Sequence, residues 1–412
     1  MEHSREATAG HGRTFAALTY PNYRLWFYGQ MTSLFGTWMQ STAQGYLVYQ
    51  LTGSEAYLGY VGFASGAATW LFTIYGGVIA DRIPRRTLLI ITQSLSMVLA
   101  FVLSVLAFTH VVAPWHIIVL SFLLGTVNAF DAPARQSFVL EMVEKPVLVN
   151  AIALNSTMFN TAMVVGPAIG GIAYALFGPG WCFAINGLSF IAVIAALGAM
   201  KLAPHAPAAR TSGALAEVRD GVRAVVGDRR ILAIVLLMAA ISLFGMSFVT
   251  LLPAWAVQVL SGDATTNGFL QSARGIGALV SALFIATYAQ RLRRGRFLTV
   301  ASLAFPFLLA LFSLTRGLTL SLGVLVLVGA ANIMVNNLAN SVVQTLVPDA
   351  LRGRVMAIYM LSFFGFMPLG ALLAGLAATV IGVPLTVLLG AAGTLVCAAA
   401  IALAVPSLRR SA

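Results

Sequence analysis

Apolar stretches of about 20 residues, the length a helix needs to cross the hydrocarbon of a bilayer, recur along this chain. They lie at approximately 25–49, 55–80, 87–108, 116–134, 147–177, 182–202, 230–260, 266–289, 297–315, 319–346, 354–380 and 384–405. Of 412 residues, 59% are hydrophobic and only 9% charged, against roughly 25% charged in an average soluble domain. The chain reads as an all-α membrane protein with twelve transmembrane helices.

A formal charge of +12 ordinarily raises binding to nucleic acid or to an anionic surface, but the placement of the charges argues otherwise. With an even number of spans and both ends on one side, 22 of the 24 Lys and Arg residues fall on that side. They include Arg82, Arg85 and Arg86 after the second span, Arg135 and Lys145 after the fourth, and Lys201 to Arg230 in a long central connector. Arg316 is in an opposite loop, and Arg274 lies within a span. This is the positive-inside asymmetry. It predicts a multi-pass protein of a plasma (inner) membrane with both termini cytoplasmic, whose basic charge orients insertion and binds no nucleic acid.

The first 22 residues are polar and carry no short apolar core with a small-residue cleavage site, so no removable signal peptide is expected. Cys182 and Cys397 are too few and too far apart for a disulfide framework and read as packing residues. There is no metal-ligand cluster, no phosphate-binding Gly-rich loop with lysine and no nucleophile–base constellation. Neither enzymatic chemistry nor a cofactor is expected.

Ser33-Leu34-Phe35-Gly36 recurs as Ser242-Leu243-Phe244-Gly245, an offset of 209 that also carries Gly53, Gly59, Gly66 and Arg82 onto Gly262, Gly268, Gly275 and Arg291. Further on, Gly125 to Asn128 matches Gly329 to Asn332 at an offset of 204. The chain is therefore expected to be two six-helix bundles, residues 1–202 and 229–412, joined by a cytoplasmic linker at 203–228. In that linker Leu215, Val218, Val222 and Val225 keep a helical spacing that suits a helix lying on the membrane surface.

The loop after the second span reads Gly77-Val-Ile-Ala-Asp81-Arg82-Ile-Pro84-Arg85-Arg86. It resembles the Gly-x-x-x-Asp-Arg/Lys-x-Gly-Arg-Arg/Lys loop of major facilitator transporters, with Pro84 in place of the usual glycine. Val165-Gly166-Pro167-Ala-Ile-Gly170-Gly171 in span five resembles the core of the motif that marks exporters in that superfamily. Asp131-Ala-Pro-Ala-Arg135-Gln, with Asn150-Ala-Ile-Ala-Leu-Asn155, is similar to the drug and macrolide-efflux and enterobactin-exporter-like branch. The resemblance implies two bundles related by pseudo-twofold symmetry about the membrane normal, with a substrate site between them near the midplane. It implies a secondary active exporter of amphipathic small molecules that works by alternating access as a monomer, with protons as the partner in antiport; a dedicated siderophore or metabolite exporter, an uncoupled facilitator and a non-transporting membrane receptor are the alternatives.

Candidate residues follow. Gly166, Gly170 and Gly171 fall on one side of span five and allow a close backbone approach, while Pro167 removes a backbone hydrogen bond and can bend it. Asp81, Arg82, Arg85, Arg86, Asp131, Arg135 and Arg354 are gating candidates. Asp81 is expected beside the start of span eleven, near Arg352 to Met356, where free N–H groups favour an anion. Asp131 and Arg135 correspond to Val335 and Ala339 in the second half, so the fold does not need their charge; a helix-end ion pair is the structural alternative. For proton coupling the chain offers Asp131 and Glu55, with Asp131 preferred because Glu55 is expected beside loop solvent. Arg274 either binds an anionic or carbonyl-rich group or pairs with a buried acid or carbonyls. Gln30, Ser33, Thr37, Gln40 and Gln44 stripe span one beside Trp38. Asn332, Asn336, Asn340 and Gln344 stripe span ten. With Asn128 these are substrate-lining candidates; interhelical hydrogen bonding is the alternative.

Overall fold

The computed structural model describes residues 15–202, 214–288 and 293–410, without the side chains of residues 74, 78, 81, 214–218, 350, 409 and 410. Among the described residues there is no strand. Six long helices come first: α1 (Pro21–Thr52), α2 (Glu55–Arg82), α3 (Arg85–Phe108), α4 (Pro114–Phe138), α5 (Leu148–Phe177) and α6 (Pro179–Ala199). A shorter helix, α7 (Ala214–Gly227), lies in the connector. Then come α8 (Arg229–Val259), α9 (Ala264–Tyr288), α10 (Arg294–Ser313), α11 (Leu318–Leu346), α12 (Leu351–Ile381) and α13 (Val383–Ala404). Ten described helices are long and apolar enough to cross a membrane. α1 and α2 stand outside that set, yet at 32 and 28 residues both exceed the ~20 residues a span needs.

The repeat reaches down to backbone geometry. Gly178 (φ 84°) turns the chain from α5 into Pro179 of α6, and Gly382 (φ 80°) turns it from α12 into Val383-Pro384 of α13. Glycine enters this region without a Cβ clash, and proline in a first helical turn gives up an N–H that had no intrahelical partner. The two glycines are 204 residues apart, as are Gly125 and Gly329. A Cβ on Gly125 of α4 would lie 2.1 Å from the Ser65 carbonyl oxygen of α2, and one on Gly329 of α11 would lie 2.1 Å from the Arg274 carbonyl oxygen of α9. Ser65 and Arg274 are themselves repeat counterparts, so α2 on α4 and α9 on α11 are one packing used twice.

Between the two sets of helices, α2 packs along α12 and α5 along α9. A Cβ on Gly59 would lie 3.2 Å from the Gly375 Cα, and one on Gly268 would lie 3.1 Å from the Gly171 Cα. The repeat carries Gly59 onto Gly268 and Gly171 onto Gly375, so each contact is the other rotated, as a twofold axis between the sets requires. Gln258 donates to the hydroxyl of its own counterpart Tyr49 at 2.7 Å. Only residues near such an axis can touch their equivalents.

These contacts gather at the face away from the chain ends. At the terminal face Asn22 Nδ2 donates to the Lys201 carbonyl at 2.8 Å, joining the start of α1 to the end of α6. Arg354 on α12 pairs with Asp220 of α7 at 3.0 Å, and the turn Pro406–Arg410 packs on α10. No hydrogen bond among the described residues joins α2 or α5 to α9 or α12 at that face. Large apolar side chains such as Val380 (83% exposed) and Leu403 (76%) point outward, which suits lipid as the surrounding solvent.

α8 begins with a capped end: Asp228 accepts from the Arg230 N–H at 2.8 Å and pairs with its guanidinium at 2.8 Å. The hydrogen bond from Arg230 holds the Asp228 carboxyl below its usual range. Its contribution is therefore present above the unfolded-state value near 4 and is lost as pH falls through the lower folded value. Asp228→Ala is expected to cost about 1 kcal/mol, read as a lowered midpoint of thermal unfolding at pH 7. A midpoint equal to wild type would remove the cap from the account.

Candidate functional site

α8 is uneven where it meets the axis. π-helical turns at Ile241–Gly245 and Trp255–Val259 flank a tighter 3-10 stretch at Met246–Leu251. Pro253 supplies one cause, since it cannot donate to the ladder, and its ring faces Gly45 of α1. Mid-helix departures of this kind concentrate at functional places. The second π turn presents Gln258, whose Nε2 donates both to Tyr49 of α1 and to Glu55 Oε1 of α2.

Glu55 therefore differs from the sequence expectation. It is not a surface acid beside loop solvent but is 6% exposed, because α2 starts directly under the end of α8 and against Gly375 of α12. Its carboxylate bridges the two sets of helices.

Asp131 is also buried, 2% exposed, but inside the first set. Arg135 Nη2 reaches one of its oxygens at 2.9 Å, while Thr92 Oγ1 and Gln93 Nε2 of α3 donate to the other at 2.8 Å each. Both oxygens of the carboxylate therefore have donors from within the first set. The Thr92-Gln93 pair, in a span whose other interior polar residues are serines, is the sequence signal for these partners, which the motifs alone did not supply. Asn128, one turn earlier, is exposed.

The Asp81 side chain lies outside the described residues, and so does its expected contact with α12. At the start of α12 the connector packs with Asp220 on Arg354 and a Gly221 Cβ position 3.0 Å from the Arg354 carbonyl oxygen. Arg352 pairs with Asp349. Arg85 joins Glu141 at 2.6 Å, Arg86 Nη2 donates to the Gly198 carbonyl at 2.6 Å at the end of α6, and Arg82 is exposed. Arg85 and Arg86 thus tie α3 to neighbours in the same set.

The glycine motif divides its work between two partners. Gly166 and Gly170 fit against Trp38 and Met39 of α1, and Gly171 fits against Ala264 and Gly268 of α9. Pro167 is buried in the same stretch. Cys182 packs with its thiol against the Gly170 carbonyl.

The α1 stripe splits. At 100° per residue its five members spread over roughly 80° of the helix, wide enough to straddle two neighbours. Gln40 lies on the edge toward α6, accepting from Asn186 at 2.7 Å, with Ser33 on the same edge and Gln30 also buried. Gln44, in the middle of that spread and one turn beyond Gln40, donates to Ser121 of α4 at 2.6 Å. Thr37 is exposed and Trp38 half-buried. On α11 the carboxamides stay half-buried or exposed. Asn332 reaches Met246 of α8 at 3.1 Å, Asn336 folds back onto the Asn332 carbonyl at 2.9 Å, and Gln344 donates to Asn340 at 3.0 Å.

Arg274 stands mid-helix on α9, level with Gly329 of α11 and, through Gly275, with Met163 of α5. Its Nε is buried, and the side chain makes no ion pair or hydrogen bond with the described residues.

The arrangement has known likenesses. Residues 12–411 match the family model described as transmembrane secretion effector. The chain is 26% identical to the staphyloferrin A transporter of Staphylococcus aureus, covering 87% of this chain and 90% of that one. It is 27% identical to the multidrug efflux pump Tap of Mycolicibacterium fortuitum, covering 88% and 90%. It is 24% identical to the enterobactin exporter EntS of Escherichia coli, covering 83% and 81%. In fold it is similar to a variant of the nucleoside transporter NupG, with TM-score 0.72 at 14% identity over 93% of this chain and 98% of that one. A bacterial homologue of the human lysosomal transporter Spinster, in an inward-facing and unoccupied conformation, gives TM-score 0.72 at 12% identity over 97% and 98%. With the family model matched along nearly its whole length, the chain is a multi-pass membrane transporter of small molecules and belongs to the transmembrane secretion effector family, in the efflux branch of the major facilitator transporters.

Proposed function

We propose that this chain is a proton-coupled antiporter that exports amphipathic small molecules by alternating access. One observation carries the reading: the two sets of helices meet across the pseudo-twofold axis at the face away from the termini, through the Glu55–Gln258–Tyr49 contacts and the paired glycines. Contacts gathered at one face suit a protein that closes one side at a time, and a carboxylate within them gives proton binding a direct hold on that closure. The twelve-span count, the division into 1–202, 203–228 and 229–412, the monomeric state and an inner-membrane setting with cytoplasmic termini belong to the same reading. In that orientation the conformation described here is closed outward. Charge asymmetry and the paired contacts support it.

Among relatives, two are named for siderophores and one for multidrug efflux, which favours a dedicated metabolite exporter as the second reading. Purified protein in liposomes, tested with a panel of amphipathic drugs and siderophores with and without an imposed proton gradient, decides between them. Several unrelated compounds moved faster by the gradient is the expected result. Movement of one compound class alone selects the dedicated exporter, gradient-independent movement selects a facilitator, and no flux of any compound overturns export.

A further inference from the structure

We infer that Arg274 anchors an anion-binding subsite on the inner face of α9, so that the transported molecule carries a carboxylate or a comparable anionic group. The inference rests on the export reading only in calling that molecule a substrate.

The first support is what the charge is not for. The packing of α9 on α11 at Arg274 is the packing of α2 on α4 at Ser65, with the same 2.1 Å approach of a glycine Cβ position to the carbonyl oxygen. The first half builds this crossing with a serine, so the guanidinium contributes nothing that the crossing needs. A charge kept deep in a span without a structural task is expensive.

The second support is the lack of a counter-ion. Of the buried carboxylates described, Asp131 is served by Arg135, Thr92 and Gln93, and Glu55 by Gln258. Arg274 pairs with neither, and its Nε is buried without a hydrogen-bond partner among the described residues. Arg274 is half-buried, with only Nε closed off; a guanidinium within a span with no internal acceptor is costly, and an incoming anion relieves that cost with charge-assisted hydrogen bonds.

The third support is the company Arg274 keeps. Asn267 and Ser281 lie seven residues to either side, a spacing that puts all three on nearly one face of α9. Each has a buried polar atom without a partner among the described residues: Asn267 Oδ1, Arg274 Nε and Ser281 Oγ. The face points across the interface, since Asn267 Nδ2 reaches the Thr42 carbonyl of α1 at 3.4 Å. One cation between two neutral groups capable of hydrogen bonding suits a ligand with a single anionic end.

The test uses two probes of one shape, 4-butylbenzoate and the neutral 4-butylbenzamide, in equilibrium binding to the purified full-length protein. Wild type is expected to bind the benzoate at least about tenfold tighter, the ratio a charge-assisted hydrogen bond gives. Arg274→Gln is expected to bind both equally, and Arg274→Lys to retain part of the preference. Equal binding of both probes by wild type, or an undiminished preference in Arg274→Gln, overturns the inference. Should Arg274→Gln fail to fold, phenylglyoxal modification of wild-type Arg274 decides: protection by the benzoate but not by the amide upholds the subsite, and equal protection or no modification overturns it. Absence of flux for every compound in liposomes would end the export reading and leave this binding result standing.

Discussion

Gly277→Ala is expected to cost about 3 kcal/mol or more and to leave little monodisperse protein. A Cβ at this position would lie 1.8 Å from the Val326 carbonyl oxygen, 2.7 Å from its carbon and 2.8 Å from the Ala330 nitrogen. All three are backbone atoms of α11, which no side-chain rotation can clear. The helices must move apart, and forced overpacking of this kind costs 1–3 kcal/mol or more, at a crossing that depends on close backbone approach. Gly323→Ala, in open space on the same α11, serves as the control and is expected to be neutral or stabilising by about 0.5–1 kcal/mol through lower backbone entropy. Thermal unfolding of both variants in detergent checks the pair. Equal midpoints would show that the α9–α11 crossing gives way more easily than its geometry allows.

Glu55→Gln is expected to reduce gradient-driven transport to the rate seen without a gradient, with downhill exchange retained. An amide can still face Gln258 but cannot release a proton when the sides alternate. Glu55 is favoured over Asp131 by partner geometry. The donor to Glu55 sits on the opposite set of helices and must leave when the far face opens, whereas the donors to Asp131 lie on α3 and α4 and stay with it. A carboxylate whose partner departs changes its surroundings during the cycle, as a coupling group requires. Asp131→Asn removes the partner of Arg135 and is expected to lower stability while keeping the gradient response. Uptake into inverted vesicles with and without a proton gradient separates the two. A full gradient response in Glu55→Gln together with its loss in Asp131→Asn would return the coupling role to Asp131.

Much of the architecture was legible in the chain because lipid imposes a simple rule: about 20 apolar residues in a row become a helix. The repeat added pairing information, since residues near a twofold axis meet their own counterparts. Offsets of 209 and 204 make Tyr49 and Gln258, Gly59 and Gly268, and Gly171 and Gly375 counterparts, but that Tyr49 meets Gln258 and Gly59 meets Gly375 is visible only in the fold. The site was less legible. A period of about 3.5 places five polar residues on one side of α1, but which neighbour each residue meets depends on where α4 and α6 stand. Hence Gln40 found Asn186, and Gln44 found Ser121.

Sequence by itself determined the helical class, the membrane setting and the doubling of the fold, because each follows from composition and local period. Only the tertiary structure decided the surroundings of the few charges. Glu55 lies near a loop in sequence and is buried under Gln258 in space. Asp131 has a partner one turn away but two more from α3, and Arg274 has none among the described residues. The physical reason is range: the hydrophobic pattern acts within a helix, whereas the hydration and pairing of a charge depend on whatever other helices bring within a few ångströms.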